Sequence, residues 1–167
     1  LYPFQLSGGM ARRVLVSTAL ITDAQLIIAD EPTPGMSLDQ ALEALKMFRE
    51  MADKGKAVIL ITHDIDLAFE FADRVAVFYA GTTVETAPAA DFKAGPDALR
   101  HPYSKALWRA LPQNGFQPIE GFQPYAGRLP KGCLFAPRCP YKTEECEKDV
   151  PPVSEIRGGE VRCYHGS

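Results

Sequence analysis

The sequence predicts an α/β fold built around buried parallel strands. Residues 26–29 and 57–62 are short, continuous apolar segments, a pattern typical of strands that are buried on both faces of a parallel sheet. Between them, Leu42, Leu45 and Phe48 recur at helical spacing and predict an amphipathic helix that ends near residue 54. A strand, a helix and a second strand in this order are typical of an α/β domain.

Further elements and a change in composition follow this core. We expect a short helix over residues 65–72, a third strand over 74–79 and a hairpin strand over 83–86. Beyond residue 86 prolines cluster and the apolar period fades. The sequence therefore predicts two parts, residues 1–86 and residues 87–167, the second of them small and irregular.

Composition and charge exclude some classes of protein. The chain has 167 residues, 46% of them hydrophobic, and a net charge of −3. This charge gives no electrostatic support for binding nucleic acid or an anionic membrane surface. No apolar run approaches the roughly 20 residues that a membrane-spanning helix needs.

Two carboxylates stand at the end of the first predicted strand. Asp30 and Glu31 follow its apolar residues directly, and Pro32 then ends the run. Open α/β sheets bind ligands at the carboxyl ends of their strands. Adjacent carboxylates repel each other, and Mg²⁺ held with a nucleotide phosphate would offset that repulsion with an ion that prefers oxygen ligands. The alternative is a strand that ends in an acidic surface turn.

A glycine-rich helix start precedes this strand. Ser7 is a candidate N-cap, Gly8 and Gly9 allow close backbone approach, and helical spacing continues to about residue 24. The N-terminus of such a helix exposes backbone N–H groups and can bind an anion. The alternative is an ordinary capped helix.

A histidine, His63, directly follows the second strand. Alone, such a histidine is more often structural than catalytic. In sequence order, however, residues 6–10 read LSGGM, residues 30–33 read DEPT and residues 62–64 read THD. The three motifs together resemble the second half of an ABC transporter ATPase domain, with its signature motif, its Walker B strand and its switch histidine.

The resemblance implies a role for each of these residues. Asp30 would hold Mg²⁺ through water, Glu31 would orient and polarise the attacking water, and His63 would contact the γ-phosphate of ATP and sense its loss. The serine and glycines of the signature, residues 7–9, would contact ATP bound to the opposite subunit, so that hydrolysis requires a dimer. A P-loop motif is absent from the sequence, and the resemblance implies that it precedes Leu1 in a longer protein.

One segment departs from the family pattern. The D-loop aspartate of the family, counted from Glu31, falls on Ser37, and Leu38-Asp39 arrives two residues late. Either the loop is longer here, with Asp39 as its aspartate, or Ser37 replaces that aspartate. The contact between subunits at this loop depends on which alternative holds.

The second part of the chain carries a further resemblance. His101-Pro102-Tyr103 opens a helix that a second proline, Pro112, ends. This segment resembles the HPY segment in the C-terminal extension of oligopeptide, dipeptide and nickel importer ATPases. The alternative is a packing helix with no chemistry.

All four cysteines lie beyond this helix in a short, proline-rich stretch. They are Cys133, Cys139, Cys146 and Cys163. A segment with so few core residues needs a covalent cross-link or a bound metal to stabilise its fold. Disulfides with three possible pairings are one answer, but they are rare in the reducing cytosol where an ABC ATPase acts. Four thiolates suit Zn²⁺ or a [4Fe–4S] cluster. The importer ATPases resembled here carry this pattern, and some bind a [4Fe–4S] cluster, which we favour over Zn²⁺ or free thiols. Arg138 and Arg162 would offset its charge.

These observations predict the ATPase subunit of an importer for peptides, nickel or related solutes, with ATP and Mg²⁺ as cofactors. The resemblance implies a second ABC ATPase subunit and transmembrane permease subunits as partners, an extracytoplasmic solute-binding protein as an indirect partner, and a peripheral position on the cytoplasmic face of the cell membrane. Nucleic acid is not an expected partner. Two alternatives are a non-transport ABC-type ATPase acting on nucleic acid or ribosomes, and a non-catalytic metal-binding fragment.

Overall fold

The computed structural model describes residues 2–21 and 23–167, and the chain divides into two compact units, Leu1–Ala72 and Asp73–Ser167. Leu1 and Thr22 lie outside the described residues, so the predicted continuation of the first helix past residue 21 is not described at Thr22. The second unit begins well before residue 87, at the third predicted strand.

The first unit alternates helices and strands as the sequence predicts. A short 3-10 helix, Pro3–Gln5, comes first; α1 (Gly8–Ile21), β1 (Leu26–Asp30), α2 (Leu38–Asp53), β2 (Ala57–Ile61) and α3 (Ile65–Phe71) follow. Strands β1 and β2 are parallel, with Leu26 opposite Ala57 and Asp30 opposite Ile61. A parallel pair requires a crossover connection, and α2 provides it. The predicted α/β fold is confirmed.

The core of the first unit lies on one face of this sheet. Its buried members are Ile27, Ala29, Leu45 and Phe48. The opposite face is open: Ile28 is 61% exposed, and Ile59 and Ile61 are each 48% exposed. The prediction that both strands are buried on both faces is therefore wrong for the described residues. A continuous apolar strand reports that both faces are suited to burial, but α2 packs on only one of them.

The second unit is built on an antiparallel sheet. Its elements are β3 (Arg74–Tyr79), β4 (Thr82–Pro88), α4 (Ala89–Ala94), α5 (Pro102–Ala110), α6 (Glu144–Lys148), β5 (Val153–Ile156) and β6 (Gly159–Arg162), with short 3-10 helices at Pro112–Asn114 and Ala136–Arg138. The strand order is β3-β4-β6-β5. The expectation of an irregular extension is wrong for its last hairpin, because β6 pairs with β4 and places Glu85 opposite Val161.

No helix among the described residues is both long enough and apolar enough to cross a membrane.

Candidate functional site

The residues that end the two parallel strands are in direct contact. The backbone N–H of Glu31 donates to the Ile61 carbonyl at 2.8 Å, which extends the ladder by one residue. Glu31 Oε1 accepts the backbone N–H of His63 at 3.1 Å and lies 2.8 Å from His63 Nδ1. The parallel register thus brings together two side chains from different strands at one sheet edge.

The backbone at Glu31 is strained. Its φ is +45°, in the left-handed region that non-glycine residues seldom adopt. Such strain costs on the order of 1–3 kcal/mol and persists only where the surroundings impose it. The conformation turns the Glu31 side chain toward His63, while its second oxygen, Oε2, is buried with no hydrogen-bond partner among the described residues.

The charge state of His63 depends on this contact. The hydrogen bond to Glu31, together with the negative charge of Glu31, raises the pKa of His63 above its ordinary value. The ring itself is largely in solvent, because the His63 side chain is 80% exposed. The pair is therefore open to a ligand from outside the unit.

The other expected ligand residue, Asp30, is exposed at the end of β1 beside this pair in the sequence. The alternation along β1 buries Ile27 and Ala29 and leaves Asp30 on the open face. An exposed carboxylate next to the Glu31–His63 pair is placed to bind a cation. Its role toward Mg²⁺ stays a prediction.

The glycine-rich segment forms a capped helix start. Ser7 Oγ accepts the backbone N–H of Met10 at 3.3 Å, and the Ser7 carbonyl accepts the N–H of Ala11 at 2.9 Å. A Cβ on Gly9 would lie 3.3 Å from Gln40 Oε1, whereas one on Gly8 would meet nothing within 4 Å. The space in front of Gly8 is thus free for a ligand. None of the described hydrogen bonds joins residues 7–9 to Glu31 or His63.

The D-loop segment is an extra turn that leads into α2. The N–H of Met36 donates to the Thr33 carbonyl at 3.1 Å, and Gly35 has a φ of +80°. Ser37 then caps α2: its Oγ accepts the Gln40 N–H at 3.4 Å, and Gln40 Oε1 accepts the Ser37 N–H at 3.4 Å. Ser37 thus serves as the cap of α2, and Asp39 lies exposed in the first turn of that helix; Asp39 as the D-loop aspartate stays a prediction.

In the second unit the four cysteines come close to one another. All are free thiols, Cys146 buried and the other three half-buried. The Cys133 N–H donates to the Cys146 carbonyl at 2.8 Å. Burial and the other three cysteine thiols raise the pKa of Cys163 to about 11. Burial likewise raises the pKa of the Cys133 and Cys139 thiols, and the charge of neighbouring cysteines raises it further.

The fit of these thiols to a metal depends on its kind. Within residues 2–21 and 23–167, no three His, Cys, Asp or Glu side chains are arranged to hold a metal ion. A tetrahedral zinc ion needs thiolates about 3.8 Å apart, because its Zn–S bonds are about 2.3 Å long. A [4Fe–4S] cluster binds each thiolate to a different iron, so it accepts thiolates that lie farther apart. The four-thiol donor set fits the cluster in its chemistry; the cluster itself is a proposal.

The two arginines beside the cysteines have different roles. Arg138 donates to the carbonyls of Glu120 at 2.8 Å and Ile119 at 2.9 Å, and to Tyr79 Oη at 3.4 Å. It therefore fixes a loop, and its expected effect on the charge of a cluster stays a prediction. Arg162 Nε is buried without a hydrogen-bond partner among the described residues and shares the wall of a small cavity with Cys133.

Sequence reasoning missed a buried ionic network next to these cysteines. Glu85 accepts the backbone N–H of Arg100 at 2.9 Å and that of His101 at 2.8 Å. The Arg100 side chain donates to Asp91 at 2.7 Å and to the Ile156 carbonyl at 2.6 Å. The available signal was a lone acid, Glu85, inside an otherwise uncharged strand segment, Thr82–Pro88.

Two family profiles match different parts of the chain. A profile of the family described as "ABC transporter" matches residues 1–34, and one described as "Oligopeptide/dipeptide transporter, C-terminal region" matches residues 84–146. A dipeptide transport ATP-binding protein of Haemophilus influenzae is 38% identical over 169 residues, which are 98% of this chain and 50% of that protein. The chain is similar to ABC transporter ATPases over nearly its whole length. Its predicted resemblance to the oligopeptide and dipeptide class is confirmed.

Two further similarities set the extent of the match. The dipeptide transport ATP-binding protein of Escherichia coli is 37% identical over 171 residues, covering 98% of this chain and 51% of that protein. The chain thus spans about half the length of the curated relatives it matches. A solved dimeric ATP-binding cassette with ADP and phosphate is 30% identical, with a TM-score of 0.49, and covers 52% of this chain and 38% of that chain.

Proposed function

We propose that this chain is part of the ATPase subunit of a peptide importer, in which ATP hydrolysis drives transport. The observation that carries the proposal is the Glu31–His63 contact at the open end of two parallel strands. The relatives, which are named dipeptide transport ATP-binding proteins, support transport of peptides over work on nucleic acid or ribosomes.

Glu31 is the residue that acts on water in this proposal. Its Oε1 is held by the His63 N–H, and its Oε2 has no hydrogen-bond partner among the described residues. A carboxylate fixed through one oxygen can orient an attacking water through the other. Mg²⁺ and ATP, when bound, supply the phosphoryl group and neutralise its charge.

His63 and Asp30 complete the site on this strand edge. The raised pKa of His63, due to Glu31, favours a protonated ring that can donate to a phosphate oxygen. Asp30, exposed beside it, would hold Mg²⁺ through water. Catalysis by these residues consists of positioning and charge stabilisation.

Residues 7–9 act toward a second ATPase subunit in this proposal. The start of the 14-residue helix α1 presents backbone N–H groups, and the space at Gly8 is open. A phosphate brought by the partner subunit would bind there. Asp39, in the exposed first turn of α2, would contact the partner at the D-loop.

The open apolar sheet face indicates that further protein covers it. Ile28, Ile59 and Ile61 are about half exposed or more, although parallel sheets are normally covered on both faces. We propose that the rest of the ATPase domain, with its P-loop, packs on this face. Transmembrane permease subunits would hold the ATPase at the cytoplasmic side of the membrane, and a solute-binding protein would deliver the solute.

The test of the hydrolytic role is Glu31→Gln in the complete transporter. Removing the water-orienting carboxylate should lower steady-state phosphate release by about 10²–10⁴-fold, with ATP binding retained. Glu43→Gln, which changes an exposed carboxylate on α2, is the matched control and should leave the rate unchanged. A rate for Glu31→Gln within a few-fold of the unmodified protein would remove Glu31 from this role.

We further propose that the four cysteines hold one [4Fe–4S] cluster with a structural or regulatory role, Zn²⁺ being the alternative. Support comes from contacts among the cysteine segments: the Cys133 N–H donates to the Cys146 carbonyl at 2.8 Å, and His165 lies 3.6 Å from Cys146 Sγ while its N–H donates to Cys163 Sγ at 3.3 Å. Anaerobic purification followed by iron, sulfide and zinc analysis tests it. About four irons and four sulfides per chain are expected for the cluster. Near-stoichiometric zinc without sulfide would select zinc, and the absence of both would exclude a metal centre.

A further inference from the structure

The HPY segment begins a helix that His101 caps, and the two residues at the helix entry are held by another element. The carboxylate of Glu85, on β4, accepts the backbone N–H groups of Arg100 and His101 at 2.9 and 2.8 Å. His101 Nδ1 in turn accepts the N–H of Tyr103 at 3.0 Å. Glu85 and His101 are each 1% exposed. The start of α5 is thus fixed to the sheet by buried, charge-assisted hydrogen bonds.

The guanidinium of Arg100 secures the same point from the opposite side. It donates to the carbonyls of Ile156 and Arg157, each at 2.6 Å, in the turn between β5 and β6. A Cβ on Gly159 would lie 2.8 Å from Arg100 Cζ, so a glycine is required where the side chain passes. Residues 100–103 are therefore tied to both hairpins of the sheet.

This fixed segment contacts the stretch that carries two of the cysteines. We call residues 133–139, from Cys133 to Cys139, the cysteine loop. Phe135 at its centre is 1% exposed. The Phe135 ring lies 5.4 Å from that of Tyr103, 5.2 Å from that of Tyr79 and 5.8 Å from that of His101, measured between centroids. Aromatic pairs at such distances stabilise beyond simple burial.

The cysteine loop is short and folded tightly about Phe135. The Ala136 N–H donates to the Cys133 carbonyl at 3.0 Å, and the Cys139 N–H donates to the Ala136 carbonyl at 3.3 Å. These bonds leave the loop few independent degrees of freedom. The position of the Phe135 ring therefore sets the positions of both thiols.

The chemistry of the contact is apolar although it includes a histidine. Burial lowers the pKa of His101 to about 4, so its ring is neutral near pH 7. Its Nε2 has no hydrogen-bond partner among the described residues. A neutral imidazole held through Nδ1 offers Phe135 a packing surface of fixed orientation.

We propose that residues 101–103 form the packing site of the cysteine loop, and that Phe135 is the side chain that holds the loop against this site. Tyr103 and His101 are then positioning residues for Cys133 and Cys139. The HPY motif thereby gains a role in the metal centre, and this role rests on the [4Fe–4S] or Zn²⁺ site proposed above. The positioning of the thiols can be measured without any metal.

The experiment compares Phe135→Ala with Phe122→Ala in the complete protein. Phe122 is 93% exposed in the same unit, so it controls for the same chemical change without a packing loss. The metal-free proteins are treated with iodoacetamide, and the alkylation rate of each cysteine is followed by mass spectrometry. Cys163, which lies outside the cysteine loop and directly follows β6, is the internal reference.

The expected result is selective. For Phe135→Ala, alkylation of Cys133 and Cys139 should become about tenfold faster or more, because local opening controls access to them, while Cys163 changes less than about twofold. Phe122→Ala should leave all rates unchanged. Unaltered rates at Cys139, or an equal increase at all four cysteines, would overturn the proposal.

A second pair of variants keeps the test valid if Phe135→Ala does not fold. Tyr103→Phe retains the ring and should match the unmodified protein, whereas Tyr103→Ala should repeat the selective increase in alkylation. Equal alkylation rates in the two variants would contradict the proposed packing site. Iron and sulfide per chain form a separate readout, expected to fall in Tyr103→Ala. Finding no metal in the unmodified protein would exclude the metal centre. The alkylation rates would still test the packing of the cysteine loop on residues 101–103.

Discussion

Each unit of the chain has one contact between a carboxylate and a cationic side chain that organises its surroundings, and the two contacts lie in opposite environments. Glu31 and His63 approach within 2.8 Å at an open strand end, where the His63 side chain is 80% exposed. Glu85 and Arg100 approach within 3.4 Å with both side chains fully buried. One pair faces solvent, and the other is enclosed by backbone.

The difference indicates what each pair can do. An exposed pair adds little to stability, because solvent screens it, but a ligand can reach it. A buried pair is reached by no ligand, and it is tolerated only because nearly every donor and acceptor around it is satisfied. In our proposal, carboxylates at strand ends serve chemistry in the first unit, whereas the carboxylate inside a strand stabilises the structure of the second.

The largest effect on stability is expected from the enclosed pair. Glu85→Ala leaves the buried Arg100 charge with Asp91 as its remaining carboxylate and removes the acceptor of the Arg100 and His101 backbone N–H groups, at an expected cost of about 3–5 kcal/mol. Chemical denaturation of the second unit, followed by Trp108 fluorescence, measures this. Glu155→Ala, at an exposed position on β5, is the control and should cost less than about 0.5 kcal/mol. Equal losses of stability for Glu85→Ala and Glu155→Ala would contradict the structural role of the buried pair.

The open sheet face gives a second comparison. If the remainder of the ATPase domain covers Ile28, then Ile28→Ala should cost about 2–5 kcal/mol in the complete protein, as for any buried isoleucine. Ile27→Ala, on the face that is already buried, is the reference. A cost below about 0.5 kcal/mol at Ile28 would mean that this face stays open.

A smaller effect is expected at the D-loop turn. Ser37→Ala removes one half of the capping box at the start of α2 and should cost about 1 kcal/mol of stability. Ser37→Asp restores an N-cap oxygen and should recover most of it. Failure of Ser37→Asp to recover stability would indicate that Ser37 contributes something other than the cap.

The smallest effect is the titration of His63. Glu31 raises the pKa of His63, so Glu31→Gln should return that pKa toward about 6.5, as NMR of the ring protons would show. Because the folded-state pKa lies above the unfolded value, the pair stabilises the fold below the unfolded pKa. That contribution is lost as the pH rises through the folded-state pKa. An unchanged His63 pKa in Glu31→Gln would contradict the contact.

Local sequence patterns predicted most elements of the first unit and the helix of the HPY segment. Apolar runs, helical spacing and cap residues such as Ser7 act within a few residues, so they can be recognised in the sequence without knowledge of the fold. The motifs at residues 7–9, 30–31 and 63 were found the same way. Their order, and not their geometry, identified the family.

Only the tertiary structure decided which distant segments meet. Glu31 contacts His63 because β1 and β2 pair in parallel with Asp30 opposite Ile61. Glu85 binds the backbone N–H groups of Arg100 and His101 ahead of α5, and β4 pairs with β6, although Glu85 and Val161 are far apart in the chain. Strand pairing and buried ionic contacts depend on partners that no local period specifies, because many registers satisfy the same apolar pattern and only burial of a whole face selects one.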